Sequence, residues 1–185
     1  ALPWKPQPPP RVVSDGRRLL LDSELSGDEP YMLASNLEGV VVLVDKNRVK
    51  SGRYAVRKFG CDTLLLDDGF QYQRIKHRLD LVLVDCGNPF GNGHVLPRGI
   101  LRESARNIRR ARFVCLTKAG GRDTTALRER IRALNPRAGL MECDHVPCLL
   151  RNAFTREEKP LDLLRGLRAV AVSGIASPKS FEQAL

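Results

Sequence analysis

A chain of 185 residues with 42% hydrophobic content is long enough to bury one sizeable core and too apolar to be disordered. Its 31 lysines and arginines outnumber its 21 acids, and the resulting charge of +10 selects anionic partners: nucleotide, phosphorylated lipid, an acidic membrane surface or nucleic acid. Aromatics at 5% are too sparse for the stacking surface of a single-strand or RNA binder, and no apolar run approaches the roughly 18 to 20 residues that span a bilayer.

Residues 1–11 hold five prolines and read as an extended or disordered lead-in, whereas 12–185 read as one α/β domain. Ser26-Gly27-Asp28-Glu29-Pro30 precedes a helical stretch at 31–36 and an apolar strand at 39–44. Asp28 has two readings. It is a helix N-cap, as Asp and Ser favour, or an acid at a loop tip that accepts a proton from an attacking hydroxyl. Arg48 follows just past the strand end.

Next, Leu64-Leu65-Leu66 closes a predicted strand at 62–66 and runs into Asp67-Asp68-Gly69-Phe70-Gln71. Open α/β sheets place ligands at such carboxyl ends, and a hard cation bridging phosphates needs carboxylate oxygens there. Asp-Asp-Gly after a strand is also a good turn, so both readings stand. A second strand is predicted at 79–85, followed by a glycine-rich loop, Gly87-Asn88-Pro89-Phe90-Gly91-Asn92-Gly93. Leu101-Arg102-Glu103 then precedes a helical stretch at 104–110. The arginine suits a phosphate through its fork of donors, and the glutamate suits Mg²⁺ or a water in its shell; a surface ion pair is the plainer alternative.

The remainder alternates in the same way. A strand at 111–117 leads to an amphipathic helix at 124–134 with Leu127, Ile131 and Leu134 on one face. A further strand falls within 143–150, a short helical turn at 161–164, and a last strand at 168–173. The pattern predicts a mostly parallel sheet flanked by helices. The five cysteines sit mostly in or beside apolar strands, as Cys61, Cys86 and Cys115 do, and read as buried thiols of a reducing compartment. Cys143, His145 and Cys148 lie close together but lack a fourth ligand pattern for zinc.

Together, Gly27-Asp28-Glu29-Pro30, Arg48, Leu-Asp-Asp-Gly-Phe-Gln at 66–71, Gly91-Asn92-Gly93, Leu101-Arg102-Glu103 and Ser173-Gly174-Ile175-Ala176-Ser177-Pro178 resemble the tetraacyldisaccharide 4'-kinases of lipid A synthesis. The resemblance runs from about residue 26 to the end of the chain. It implies a P-loop kinase, with helices on both faces of its sheet, at the cytoplasmic face of the Gram-negative inner membrane. Such a kinase moves the γ-phosphate of ATP, with Mg²⁺, to the 4'-hydroxyl of a lipid-linked disaccharide. By the same resemblance Asp28 is the general base with Glu29 beside it, and Asp67 and Asp68 are the Walker B acids near the metal. Gln71, Arg102 and Glu103 match further active-site positions, and Arg48 matches an arginine that contacts phosphate.

The sequence departs from the family pattern in places. Tyr72 stands where a histidine is usual, Ile100 where a proline is, and Ala176-Ser177 replaces Gly-Asn. No Gly-x-x-x-x-Gly-Lys-Ser/Thr loop occurs, and the nearest stretch, 174–180, has Pro178 at the second glycine and reads as a strand-to-helix turn. The family's loop lies upstream of these blocks and a histidine-containing block lies downstream, so the sequence reads as a piece without either end, expected to bind ATP poorly. Two other classes fit the acids and the charge: an ATPase or switch protein with no sugar substrate, and a noncatalytic binding module whose acids are turn residues.

Overall fold

The computed structural model describes residues 8–174 together with 181 and 182. Most of the proline-rich lead-in and nearly all of the 174–180 stretch lie outside the described residues. The chain divides into two compact units, with the boundary between Arg78 and Leu79.

In the first unit β1 (Arg11–Asp15) pairs antiparallel with β2 (Val41–Val44). The register slips between Val12 and Ser14, and the bulge sinks Val13, which is completely buried. β1 begins inside the predicted lead-in: Pro10 is buried, and the Pro8 carbonyl accepts from Lys50 Nζ at 2.9 Å. A turn follows in which the Asp15 carboxylate accepts from the amides of Arg17 and Arg18 at 2.9 and 2.8 Å. Those amides hold the Asp15 carboxyl below its usual range.

Asp22 caps α1 (Ser23–Ser26) through the Leu25 amide at 2.9 Å. α2 (Asp28–Asn36) starts immediately after Gly27. α3 (Arg48–Phe59) follows β2 directly. Its start is written by Asn47, whose side chain accepts from the Lys50 amide at 3.1 Å, and its stop by Gly60 in the left-handed region. Arg57 and Lys58 complement its negative end. The sequence reading left this helix out, although both of its end signals were present.

The predicted strand at 62–66 is not formed. The segment is extended but joins no ladder, and Leu64 and Leu65 are 43% and 91% exposed. A strand is defined by its partner, and among the described strands β1 and β2 pair only with each other.

In the second unit β3 (Leu81–Asp85), β4 (Phe113–Thr117) and β5 (Gly139–Cys143) form a parallel sheet in that order. Asp85 is level with Thr117, and Thr117 with Cys143. The crossover from β4 to β5 is α4 (Thr125–Leu134), whose Ile131 is sealed in the core with Val114 and Leu116. Asn135, buried just past α4, donates to the carbonyls of Ile108 and Ala111 at 2.9 and 3.0 Å and so keeps a buried polar group satisfied.

The predicted helix at 104–110 is a 3₁₀ helix, Ala105–Arg110, started by the Ser104 hydroxyl. The strand expected within 143–150 is displaced upstream to β5. Pro147 brings no backbone donor, and only the short β6 (Leu150–Arg151) follows, paired antiparallel with β7 (Glu158–Lys159). The turn at 161–164 is a 3₁₀ helix, Leu161–Leu164. The strand predicted at 168–173 is also unpaired, with Val170 and Val172 91% and 87% exposed. Cys115 is buried as expected, Cys61 and Cys86 are half-buried, and Cys143 and Cys148 are exposed.

Candidate active site

The Asp-Asp-Gly block forms a built turn. Asp68 takes a positive φ of 49°, and the Tyr72 amide donates to the Gly69 carbonyl at 2.8 Å. A Cβ on Gly69 would come within 2.5 Å of Leu66 Cβ, so the turn closes only on glycine. The turn reading of the sequence is therefore right as far as it goes. The same turn presents two exposed carboxylates side by side.

Arg48, the first residue of α3, holds this turn in place. Its Nη2 donates to the Asp67 carbonyl at 2.8 Å and its Nη1 to the Asp68 carbonyl at 3.2 Å. The guanidinium carbon lies 5.4 Å from the centroid of the Tyr72 ring, a cation–π distance. Only a planar fork makes this two-carbonyl contact. Tyr72, at the position where the family has histidine, thus acts through its ring, and its buried hydroxyl has no hydrogen-bond partner among the described residues.

One turn into α3, Lys50 forms an ion pair with Asp45, whose carboxylate also accepts from the Asn47 amide at 2.7 Å. Burial pushes the Asp45 carboxyl upward, but the Lys50 and Asn47 donors and the lysine charge outweigh it and hold the group below its usual range. The start of α3, and with it Arg48, is therefore fixed by charge as well as by its cap.

Asp28 and Glu29 occupy the first turn of α2, where the helix dipole favours carboxylates. The N-cap position belongs to Gly27, and no side chain caps the helix. Asp28 is exposed and is not the helix cap that one reading of the sequence offered. Gln71 is exposed on the turn after Gly69.

Arg102 and Glu103 belong to the second unit. Glu103 is half-buried and accepts from Asn107 Nδ2 at 2.7 Å and from Arg110 Nη2 at 2.9 and 3.0 Å. At the carboxyl edge of the sheet lies a pair that the sequence reading missed. Lys118 Nζ donates to Asp85 Oδ2 at 2.6 Å. The lysine bond is the main cause holding the Asp85 carboxyl below its usual range, with the Gly87 amide adding to it against the effect of burial. The signal for this pair was the polar residue ending each of two consecutive apolar strands, and parallel register supplied the rest.

Among the described residues, no group of three or more His, Cys, Asp or Glu side chains converges as a metal cage. A Mg²⁺ site does not require one. That ion is commonly held by one or two carboxylates plus substrate phosphates and water, and the adjacent Asp67 and Asp68 fit that donor set.

The family model for tetraacyldisaccharide-1-P 4'-kinase matches residues 5–185. The chain is 44% identical over 178 residues to a tetraacyldisaccharide 4'-kinase of Anaeromyxobacter sp. strain K, covering 95% of this chain and 47% of that protein. It is 37% identical to those of Halothermothrix orenii, covering 93% and 48%, and of Geobacter sulfurreducens, covering 95% and 48%. The crystal structure of LpxK from Aquifex aeolicus, described as an apo form in complex with ATP, superposes with a TM-score of 0.70 at 28% identity, over 94% of this chain and 52% of that one. The chain spans about half the length of the curated relatives it matches. By this match the chain belongs to the tetraacyldisaccharide-1-P 4'-kinase family.

Proposed function

We propose that the protein containing this chain transfers the γ-phosphate of ATP to the 4'-hydroxyl of a tetraacyldisaccharide 1-phosphate, at the cytoplasmic face of the inner membrane. The observation that carries this reading is the grip of Arg48 on both Asp67 and Asp68 through their carbonyls. It fixes the backbone of the acid pair through two main-chain acceptors. Preorganised charge of this kind is what phosphoryl transfer asks of a protein, since positioning and neutralisation are most of its catalysis.

In this reading Asp67 and Asp68 would hold Mg²⁺, which when bound would offset the charge of the phosphates. Asp28 accepts the proton of the sugar hydroxyl as it attacks, with Glu29 beside it. Arg102 offsets charge on the phosphates, and Gln71 orients a polar partner at the turn. Glu103, already accepting from Asn107 and Arg110, enters this reading as a further acid that matches the family.

The test is ATP-dependent phosphorylation of the tetraacyl disaccharide 1-phosphate by the protein from its complete reading frame, wild type beside Asp28→Asn. Loss of a general base costs about 10²–10⁴-fold in kcat with ATP affinity kept. Lipid-independent ATP hydrolysis, equal in both proteins, overturns the reading.

A further inference from the structure

We propose that the loop around Leu96 and Ile100 is a docking surface for an anionic lipid bilayer. This deepens the kinase function and rests on that reading for its catalytic meaning, since the tip leads directly into Arg102 and Glu103. The loop is built, not loose. Asn92 Nδ2 donates to the Arg98 carbonyl at 2.9 Å, and the His94 amide and ring bond back to Asn92 at 3.2 and 2.8 Å. Across the neck, the Leu96 amide donates to the Leu101 carbonyl at 2.9 Å and the Leu101 amide to the His94 carbonyl at 3.2 Å. Yet this fixed frame holds its apolar side chains out in solvent, with Leu96 62% and Ile100 61% exposed and Val95 beside them exposed as well. Preorganised apolar groups in water mark a surface that another apolar phase covers.

Charge identifies that phase. Residues 94–110 carry five arginines and one acid. The acid, Glu103, is tied to Arg110 and Asn107, while Arg98 in the loop and Arg106 and Arg109 just after it are exposed. Exposed apolar side chains in an arginine-rich segment match a bilayer's interface, where the side chains enter the acyl boundary and the guanidiniums meet anionic headgroups. A protein partner would need acidic groups facing the same arginines, and that alternative is an outcome of the test.

The experiment uses the protein from its complete reading frame with phosphatidylcholine vesicles, with and without phosphatidylglycerol. Leu96→Trp reports on the tip, read as the emission gained over the parent protein. A blue shift confined to vesicles containing phosphatidylglycerol is expected. No shift, or an equal shift with neutral vesicles, overturns the proposal, as does a shift produced only by a protein partner. As a second reading, Leu96→Asp with Ile100→Asp is expected to weaken sedimentation with the anionic vesicles by about ten-fold or more, because two apolar side chains are lost from the interface. Unchanged sedimentation overturns the proposal. Phosphorylation of detergent-dispersed disaccharide by that double variant separates the two readings: activity kept with binding lost is a docking role alone, whereas a wild type inactive in detergent fails the kinase reading independently of the loop.

Discussion

At the scale of single residues, the contact of Arg48 with two carbonyls makes the clearest demand. Arg48→Lys keeps the charge but cannot span both acceptors. We expect it to cost about 1 kcal/mol of stability while lowering kcat much more than it raises KM for the lipid, because the acid pair loses its fixed backbone. Thermal melts and steady-state kinetics read the two effects separately. Tyr72 makes the opposite demand. Its ring supports the guanidinium and its buried hydroxyl bonds nothing among the described residues, so Tyr72→Phe is expected to leave Tm unchanged or raise it, by up to the cost of an unsatisfied buried hydroxyl, about 1–3 kcal/mol. A fall in Tm would reveal a partner for that hydroxyl. Asp45 carries a pH dependence. Its folded carboxyl lies below the usual value of 3.8, so its contribution to stability is present above that pH and is lost as pH falls through the lower folded value. Denaturant titrations of wild type and Asp45→Asn should differ by a constant amount near neutrality and converge on acidification below 3.8.

At the scale of elements, α3 delivers Arg48, and its ends are set by local chemistry. Asn47→Ala removes the side chain that accepts the Lys50 amide and should cost about 0.5–2 kcal/mol. Alanine keeps the backbone amide that donates to Asp45, so the loss should register as a lower unfolding midpoint with little change in denaturant slope. This helix shows what the sequence held and what was passed over: Asn47, Gly60 and the basic last turn are all end signals, but its apolar pattern is weak beside those of the strands. β2, β3 and β4 were legible because continuous apolar runs bounded by polar residues suit buried strands. The same rule over-reached at 62–66 and 168–173, where apolar runs exist but the described residues offer no ladder partner, and pairing is a property of two segments. At the candidate site, the sequence named residues and left their contacts open. The motif named Asp67 and Asp68, but that Arg48 binds their carbonyls, that Gly27 takes the cap from Asp28, and that Arg110 claims Glu103 each depend on backbone shape.

At the scale of the molecule, the parallel sheet poses the remaining question. Parallel sheets are stable when both faces are covered, and Val114 and Leu116 on one face of β4 are fully buried. Alternation along β3 turns Leu81 and Leu83 the other way, and they are 50% and 66% exposed. The unpaired segments 62–66 and 168–173 add Leu65, Val170 and Val172, each nearly as exposed as in an open chain. So much apolar surface exceeds what a soluble monomer ordinarily carries, and the relatives that this chain matches are about twice its length. The 185-residue chain alone should therefore bind a hydrophobic dye such as ANS strongly and associate at high concentration, while the protein from the complete reading frame should do neither to the same degree. Amide exchange locates the difference: 62–66 and 168–173 should exchange fast in the short chain and slow markedly in the long one, whereas β4, already paired on both sides, should be protected in both. Equal exchange at 62–66 in the two proteins would mean that the segment leading into Asp67 and Asp68 works as an unpaired strand.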